Sequence, residues 1–313
     1  MVALSFMLVS NAMKKFILNI ILFFAIIVAI DLLVSAAGGY MQGHAKGGDT
    51  KRFDDLVEKD EHDILILGSS RAHHHYDTPF LSDTLGMDVY NAGIDGNGVV
   101  LAYGILEMVL NRYKPKLVLY DVEPAFDINE YSADNNHTRY ISKLKPYYNE
   151  HGIEQIIKDV SIEEWRKVQS GLLRFNTGII TILMDNLIAK ENSSQGYAPM
   201  NGIMQREINE SDQKQSKQDI FKINYIEKLI LLCKYYDVPL VMIASPKYGA
   251  ESVTVFDPIV NLCSQYDIPF WNYYNDVDFM SHKSWFNEPM HLNANGARAF
   301  SISIVEKMEG MLQ

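Results

Sequence analysis

The sequence predicts an α/β fold: a doubly wound, five-stranded parallel sheet with a helical insertion and an N-terminal transmembrane helix. Three observations support this prediction. Short apolar runs alternate with helical patterns along most of the chain, as expected for parallel strands covered on both faces. Hydrophobic residues make up 48% of the 313 residues, enough for a large buried core. A long apolar run near the N-terminus follows two lysines.

The apolar run covers residues 16–37 and is interrupted by Asn19 and Asp31. It is long enough to cross a bilayer, and Lys14 and Lys15 before it predict a cytoplasmic N-terminus. We therefore expect residues 1–38 to hold the protein in the cell membrane as a single-pass anchor. The remainder of the chain would then lie on the periplasmic, extracytoplasmic side.

A cleaved signal peptide is the alternative to an anchor. Asp31 shortens the strictly apolar core, and residues 34–36 have the small-residue pattern of a processing site. In either case the domain is exported. Residues 39–59 begin with a stretch rich in glycine and charge and are predicted to be a tether, followed by one domain over residues 60–313.

Apolar runs predict the strands of this domain at residues 64–67, 88–91, 117–120, 240–244 and 269–272. Helical patterns predict helices at 79–85, 99–112, 221–236, 253–266 and 294–311. The pattern departs from this alternation over residues 128–218, where further helices are predicted at 153–159, 162–170 and 177–189. Such an insertion between the third and fourth strands is a candidate lid or substrate-recognition cap.

Charge and cysteine content argue against two classes of protein. A net charge of −11 without a basic stripe disfavours binding to nucleic acid. The chain has two cysteines, Cys233 and Cys263, and both lie in predicted helices. Buried free thiols are therefore expected instead of a disulfide framework or a thiolate metal site, and no cofactor is expected.

Catalytic groups in doubly wound sheets gather at the carboxyl ends of the strands. The first strand ends in Gly68-Ser69-Ser70-Arg71, and a serine on such a sharp turn can present its hydroxyl above the sheet. The alternative is that Gly-Ser-Ser forms an ordinary turn or helix cap, where the same residues are common. The second strand leads into a glycine-rich loop in which Gly93 is the natural oxyanion-hole donor, with a structural turn as the alternative.

Glu288 and His291 stand directly before the last predicted helix. A carboxylate three residues before a histidine can bind its Nδ1, which leaves Nε2 to remove a proton from a serine. A solvated or capping histidine is the alternative. Because the serine, the glycine loop and this acid-x-x-His pair all follow strands or lie in the last loop, one cleft is expected to contain them.

Two residues beside Ser70 are predicted to contact substrate. Arg71 could bind an anionic group, or could pair with an acidic side chain instead. His74 belongs to the run His73-His74-His75 and is expected to line the cleft. Adjacent residues of a helix do not share a face, so this run alone makes a poor metal site and none is expected.

The order of these motifs resembles the SGNH/GDSL hydrolase superfamily over nearly all of residues 60–313. Ser70 matches the nucleophile of that family and Gly93 its oxyanion glycine. His291 with Glu288 matches its Asp-x-x-His, with glutamate in place of aspartate. The resemblance implies the flavodoxin-like sheet of the SGNH hydrolase fold. The Leu-Gly-Ser-Ser-Arg and His-Leu-Asn-Ala-Asn-Gly-Ala segments are similar to the membrane-anchored branch associated with cell-surface polysaccharide acylation.

One segment departs from the pattern of the family. The family usually places Gly-x-Asn-Asp after the third strand, whereas residues 120–127 read Tyr-Asp-Val-Glu-Pro-Ala-Phe-Asp. The usual oxyanion asparagine is therefore missing, and Asn97 is a candidate replacement. Losing one oxyanion donor costs on the order of a hundredfold or more in rate.

These observations lead us to expect an exported serine esterase or deacetylase acting on acyl esters of cell-envelope carbohydrate. Its catalytic groups would be Ser70, His291 and Glu288. An O-acyltransferase of surface polysaccharide, with a membrane acyltransferase as partner, is the first alternative. The second is a non-catalytic carbohydrate-binding scaffold that kept the fold after its site decayed.

Overall fold

The structure, a computed structural model, describes residues 2–130, 136–176, 178–188, 194–205, 217–250 and 252–312, with side chains from residue 13 onward. Its central sheet has five parallel strands in the order β2-β1-β3-β4-β5. The strands are β1 (Ile64–Gly68), β2 (Val89–Asn91), β3 (Leu117–Asp121), β4 (Leu240–Ala244) and β5 (Phe270–Asn272). This is a flavodoxin-like order, and it confirms the predicted fold class.

The helices in chain order are α1 (Val2–Gly43), α2 (Gly48–Glu58), α3 (Ser70–His75), α4 (Thr78–Leu85), α5 (Val99–Leu110), α6 (Pro124–Asp127), α7 (Ile153–Val160), α8 (Ile162–Val168), α9 (Gly171–Arg174), α10 (Ile179–Leu187), α11 (Ile220–Tyr236), α12 (Asp257–Tyr266), α13 (Val277–Ser281) and α14 (Ala294–Met311). A short antiparallel hairpin, β6 (Phe286–Glu288) and β7 (His291–Leu292), precedes α14.

The three inner strands, β1, β3 and β4, are buried at every residue, which is why they are nearly continuous apolar runs, whereas the edge strands β2 and β5 are partly exposed. Leu65 and Leu67 of β1 pack in one core with α2, α5, α11 and α12. Ile64 and Ile66 point the other way, into a second core with α3, α4 and α14. Burial of each such side chain contributes about 1.5–3 kcal/mol, so this alternation fixes the orientation of β1. The residues that follow β1 consequently lie at the carboxyl-terminal edge of the sheet.

Both cysteines are buried free thiols in the first of these cores, as predicted. Cys233 lies in α11 and Cys263 in α12. Burial raises the pKa of each thiol to about 12. Both side chains are therefore neutral packing groups.

α1 contains one long apolar segment, Met13–Gly43, that meets the length and composition of a membrane span. None of its most apolar window is buried within the protein. A membrane anchor and a signal sequence both have these properties.

The tether predicted for residues 39–59 is wrong. α1 continues past residue 39, and α2 follows it after a short turn. Phe53, Leu56 and Val57 of α2 are spaced as one helix face and are buried in the core that also contains α5. Composition suggested a linker, but burial of this apolar face makes the segment part of the domain.

The insertion is mostly helical where the structure describes it. The predicted helices appear as α7, α8 and α10, and α9 separates from α8 because the Ser170 side chain caps a new helix, its Oγ accepting from Leu173 N. An antiparallel bridge between Asn129 and Gln218 joins the two ends of the insertion. Residues 177 and 189, the first and last of the predicted third helix, lie outside the described residues.

Candidate active site

The turn after β1 presents Ser70 at the first position of α3. Gly68 has φ +146°, and a Cβ on it would lie 2.7 Å from the Asp121 carbonyl oxygen and 2.9 Å from the Ala72 Cβ. Glycine is therefore required at this close approach of two strands and a helix. Ser69 then caps α3, its Oγ accepting from Arg71 N at 3.3 Å. These contacts leave Ser70 half-buried at the carboxyl end of the sheet.

Glu288 and His291 come from the β6–β7 hairpin, where they are cross-strand partners. The sequence indicated only a loop here, because the two strands are too short to show periodicity. Backbone hydrogen bonds tie the hairpin to the rest of the domain. Tyr248 N donates to Pro289 O at 2.9 Å, and Met204 N of the insertion donates to Phe286 O at 2.7 Å.

The structure brings the three predicted catalytic side chains together. His291 Nε2 lies 2.8 Å from Ser70 Oγ, and His291 Nδ1 lies 2.5 Å from Glu288 Oε1. A carboxylate only accepts hydrogen bonds, so Nδ1 carries the imidazole proton and Nε2 can accept the serine proton. His291 is 17% exposed and Glu288 is 47% exposed, so water reaches the acid more readily than the base.

His75 supports the position of His291, a role that the sequence did not suggest. Leu292 N, the residue after His291, donates to His75 Nε2 at 3.0 Å, and His75 Nδ1 in turn donates to Ser245 Oγ at 2.8 Å. Burial and then the charge of Arg71 hold the pKa of His75 well below its ordinary value. His75 is thus a neutral imidazole that links α3, β7 and the end of β4.

Arg71 is not placed to bind substrate, which corrects the prediction. Its side chain is buried, its Nη1 donates to Glu123 Oε2 at 3.0 Å, and its Nε donates to Ser245 Oγ at 3.2 Å. The guanidinium also stacks over the Tyr274 ring, 5.0 Å from its centroid. The sequence contained one indication of these structural roles. Arg71 and His75 are four residues apart and so lie on one face of α3, which directs both side chains towards the sheet.

Both predicted oxyanion groups in the loop after β2 make a hydrogen bond within that loop. The bond occupies the single backbone N–H of Gly93, which is a second correction, whereas the Asn97 amide has a second N–H. Gly93 N donates to Asn91 Oδ1 at 2.9 Å, and the Asn97 side chain donates to the Asp95 carbonyl at 3.0 Å. Gly93 is needed for packing instead, because a Cβ there would lie 2.4 Å from His73 N. In the described part of the chain, the N–H groups of Ser70, Asp95 and Gly96 donate to no protein group.

His73 and His74 hold the Asp95 turn beside the relay. His73 Nδ1 lies 2.8 Å from Asp95 Oδ1, and His74 Nε2 lies 3.4 Å from the same oxygen. The His74 ring also meets the His291 ring edge to face at 5.6 Å, so His74 lies beside the relay, and its contact with substrate stays a prediction. Burial opposes ionisation of Asp95, but the bonds from the two histidines outweigh it and hold the pKa of this carboxyl well below its usual range.

The same three side chains lie close enough to suggest a metal site, with ligand atoms within 4.8 Å of one another. Arg52 argues against a cation there. Its Nη1 donates to His73 Nε2 at 3.2 Å, so His73 must carry its proton on Nδ1, the nitrogen that faces Asp95. His73 then offers no lone pair to a metal, and the guanidinium adds positive charge.

A small open cleft lies on the α2 side of the β2 loop. Its walls are largely apolar and its rim is charged. Its lining residues are Asp49, Arg52, Phe53, Leu56, Ala92, Ile94 and Lys143. Arg52 connects this cleft to the relay, because its guanidinium also donates to the Gly93 carbonyl at 2.5 Å.

No protein-family model matches the chain, and no curated protein is similar to it in sequence. Solved structures with a similar fold include a GDSL-like lipase from Bacteroides thetaiotaomicron, at 11% identity and a TM-score of 0.41, covering 82% of this chain and 97% of the lipase. An acetyl xylan esterase has 11% identity and a TM-score of 0.37, covering 79% of this chain and 98% of the esterase.

The esterase AlinE4, described as an SGNH-hydrolase family esterase, has 13% identity and a TM-score of 0.32, covering 81% of this chain and 98% of that structure. Similarity at these identities and TM-scores assigns neither an activity nor a substrate to this chain.

Proposed function

We propose that this chain is an exported serine esterase or deacetylase of the SGNH/GDSL kind, held at a membrane by α1. The observation that supports this most strongly is the continuous relay from Ser70 Oγ through His291 to Glu288. A scaffold whose site had decayed would have no need to keep three polar side chains in this order. The carbohydrate part of the proposal rests on the resemblance of the Ser70 and His291 motifs to the membrane-anchored branch.

In the acylation step, Ser70 Oγ bonds to the ester carbonyl carbon while His291 Nε2 takes the hydroxyl proton. Glu288 stabilises the imidazolium that forms. Collapse of the tetrahedral intermediate breaks the ester C–O bond, and His291 returns the proton to the leaving alcohol. Water then attacks the acyl-serine with His291 again as base, which releases the acid and restores Ser70.

The oxyanion would accept a hydrogen bond from Ser70 N, at the start of α3. The N–H groups of Asp95 and Gly96 are the candidates for a second donor, because they are free and the turn that carries them is bound to His74 beside the relay. Backbone donors here would replace the side-chain amide that the family usually supplies after β3.

A fluorophosphonate probe tests the nucleophile, because it reacts with a serine activated by a relay of this kind. The full-length protein in detergent should be labelled, and Ser70→Ala should abolish labelling. Ser69→Ala is the matched control, since Ser69 is the adjacent buried cap and should leave labelling in place. Unlabelled wild-type protein, or labelling that survives Ser70→Ala, would remove the basis of the proposal.

The acceptor of the acyl group decides between esterase and acyltransferase. We propose water as acceptor, and acetate release from acetylated oligosaccharide should then exceed transfer to an added sugar. Preferential transfer to the sugar would identify the O-acyltransferase, for which a membrane acyltransferase would be the donor partner.

A further inference from the structure

The insertion helices α9 and α10 pack against α1 at the end where it leaves the predicted span. About 20 helical residues cross the hydrocarbon core of a bilayer, so a span that starts near Phe16 ends near Ser35. Asp31 and Ser35 lie at this end, and both bind α9. Asp31 accepts from Ser170 Oγ at 2.5 Å and from Leu172 N at 2.9 Å.

Close packing extends this contact along α1. Arg174 Nη2 donates to Ser35 Oγ at 2.8 Å. A Cβ on Gly171 would lie 2.6 Å from the Asp31 carbonyl oxygen, and one on Gly38 would lie 2.6 Å from the Phe175 ring. The two helices thus approach each other through glycines, as helices do where they pack within membranes.

α10 continues this surface, and its Asp185 and Asn186 side chains face α1 and the start of α2. Asp185 accepts from Thr50 N at 3.0 Å, and Asn186 Nδ2 donates to Met41 O at 2.9 Å. Among the described residues of α9 and α10, Arg174 and Asp185 carry charge, and both are bonded to α1 or to the start of α2. No charge of these two helices therefore points away from the protein.

The outward face of α10 is apolar. Ile180 and Leu187 are 74% and 77% exposed, and Leu183 and Met184 between them are also exposed. These positions follow the spacing of one helix face. Leu172 and Leu173 of α9 are exposed as well. A contiguous apolar surface of this kind is costly in water and marks a contact surface.

We propose that α9 and α10 dock into the outer leaflet of the bilayer beside α1. This inference rests on the proposed membrane anchor. The occupant of the apolar face is lipid because α9 is bonded to α1 at Asp31 and Ser35, where the predicted span ends, and α10 is bonded at Met41, less than two helical turns further on. Asp31 is then a docking residue that satisfies backbone and hydroxyl donors of the insertion, and α1 is retained as an anchor in the mature protein.

Docking places the candidate active site close to the membrane surface. α1 ends at Gly43, and α2 carries Arg52, which contacts the loop beside the relay. Gly43 is eight residues, about 12 Å, beyond the end of the span near Ser35, and the chain from Gly43 to Arg52 adds no more than about 25 Å, so Arg52 lies within about 40 Å of the bilayer surface. The relay would therefore act on acyl esters presented at the membrane surface.

Fluorophores on single introduced cysteines test the docking in the full-length protein, reconstituted in phosphatidylcholine vesicles. Cys233 and Cys263 are buried and react little with a thiol reagent. Ile180→Cys and Leu187→Cys place the label on α10. Val277→Cys is the matched control on α13, an apolar residue that is 80% exposed and far in sequence from α1.

Leu22→Cys on α1 reports the anchor itself. Labels on α10 and on α1 should show blue-shifted emission, severalfold quenching by spin-labelled lipid and protection from aqueous iodide, whereas the Val277→Cys label should behave oppositely. If the α10 labels behave like the α13 label while the α1 label stays in lipid, the docking proposal is wrong and the anchor stands. An α1 label in water would overturn the anchor, and the docking with it.

Discussion

Glu288 is more exposed than His291, so a water molecule can partly take over its hydrogen bond to His291 when the carboxylate is removed. Glu288→Gln would keep the size of the side chain but present a neutral amide to His291 Nδ1. We expect kcat/KM for p-nitrophenyl acetate to fall by about a hundredfold, the lower end of the range for general acid–base groups. His291→Gln should cost more, because no other group accepts the serine proton.

Glu288→Asp is the matched control for this substitution. It keeps the negative charge and shortens the reach by one methylene, so it should retain more activity than Glu288→Gln. Equal activity of the Gln variant and the wild type would mean that His291 does not depend on this acid.

Arg71 shows that a charged residue beside a nucleophile can be structural. Arg71→Met would leave Glu123 buried without its cation, and removal of one partner of a buried pair costs about 3–5 kcal/mol. We expect a lower melting temperature of the detergent-solubilised protein and an unchanged KM in the folded fraction. Adding Glu123→Gln should restore part of the melting temperature. A raised KM that the second substitution does not relieve would instead favour a substrate-binding role.

At the scale of the element, the β1–α3 turn sets the position of the nucleophile. Gly68→Ala places a Cβ against the Asp121 carbonyl at a backbone conformation that L-residues rarely adopt. We expect a loss of more than about 3 kcal/mol in the free energy of unfolding, together with loss of fluorophosphonate labelling as Ser70 shifts.

Gly86→Ala provides the comparison for Gly68→Ala. Gly86 also has positive φ, +64°, but no atom lies within 4 Å of an added Cβ. Gly86→Ala should lower the free energy of unfolding by about 1–2 kcal/mol through backbone strain alone, and fluorophosphonate labelling of Ser70 should be unchanged. Similar losses at both glycines would show that strain, and not the close approach to β3, dominates at the turn.

At the scale of the whole molecule, a buried carboxyl behind the site couples stability to pH. Burial, opposed by the charge of Arg71, raises the pKa of Asp121 to about 6. The folded state therefore binds this proton more tightly than the unfolded chain, in which an aspartate has a pKa of about 4. The contribution of protonated Asp121 to the free energy of unfolding is therefore complete below about pH 4, and it is lost as pH rises through about 6.

Asp121→Asn removes this titration. Relative to wild type, the free energy of unfolding of the variant should increase as pH rises from 4 to 7, by at most about 3 kcal/mol, because only the wild type loses stability over this range. Melting temperatures across this range measure the difference. Asp83→Asn, at an exposed aspartate, is the control. Parallel curves for Asp121→Asn and wild type would contradict the expected titration.

Local patterns in the sequence were sufficient for the strands, the main helices and the apolar anchor segment. Each predicted strand agrees with the structure to within one residue. The reason is that strands buried on both faces must be apolar throughout, and this property is visible in a few consecutive residues. Ser70, His291 and Glu288 were identified because their motifs occupy strand ends and the last loop.

Tertiary structure alone decided which polar groups are free and which are already bonded. Arg71, Gly93 and Asn97 have the right types and positions for a site, but each is bound to a partner that the sequence does not reveal. The segment predicted to be a tether became α2 because a core formed by distant residues buries its apolar face. The sequence by itself determined the sheet and the residues available for catalysis. The contacts between distant segments decided their roles, because hydrogen-bond partners depend on three-dimensional proximity and not on neighbours in the chain.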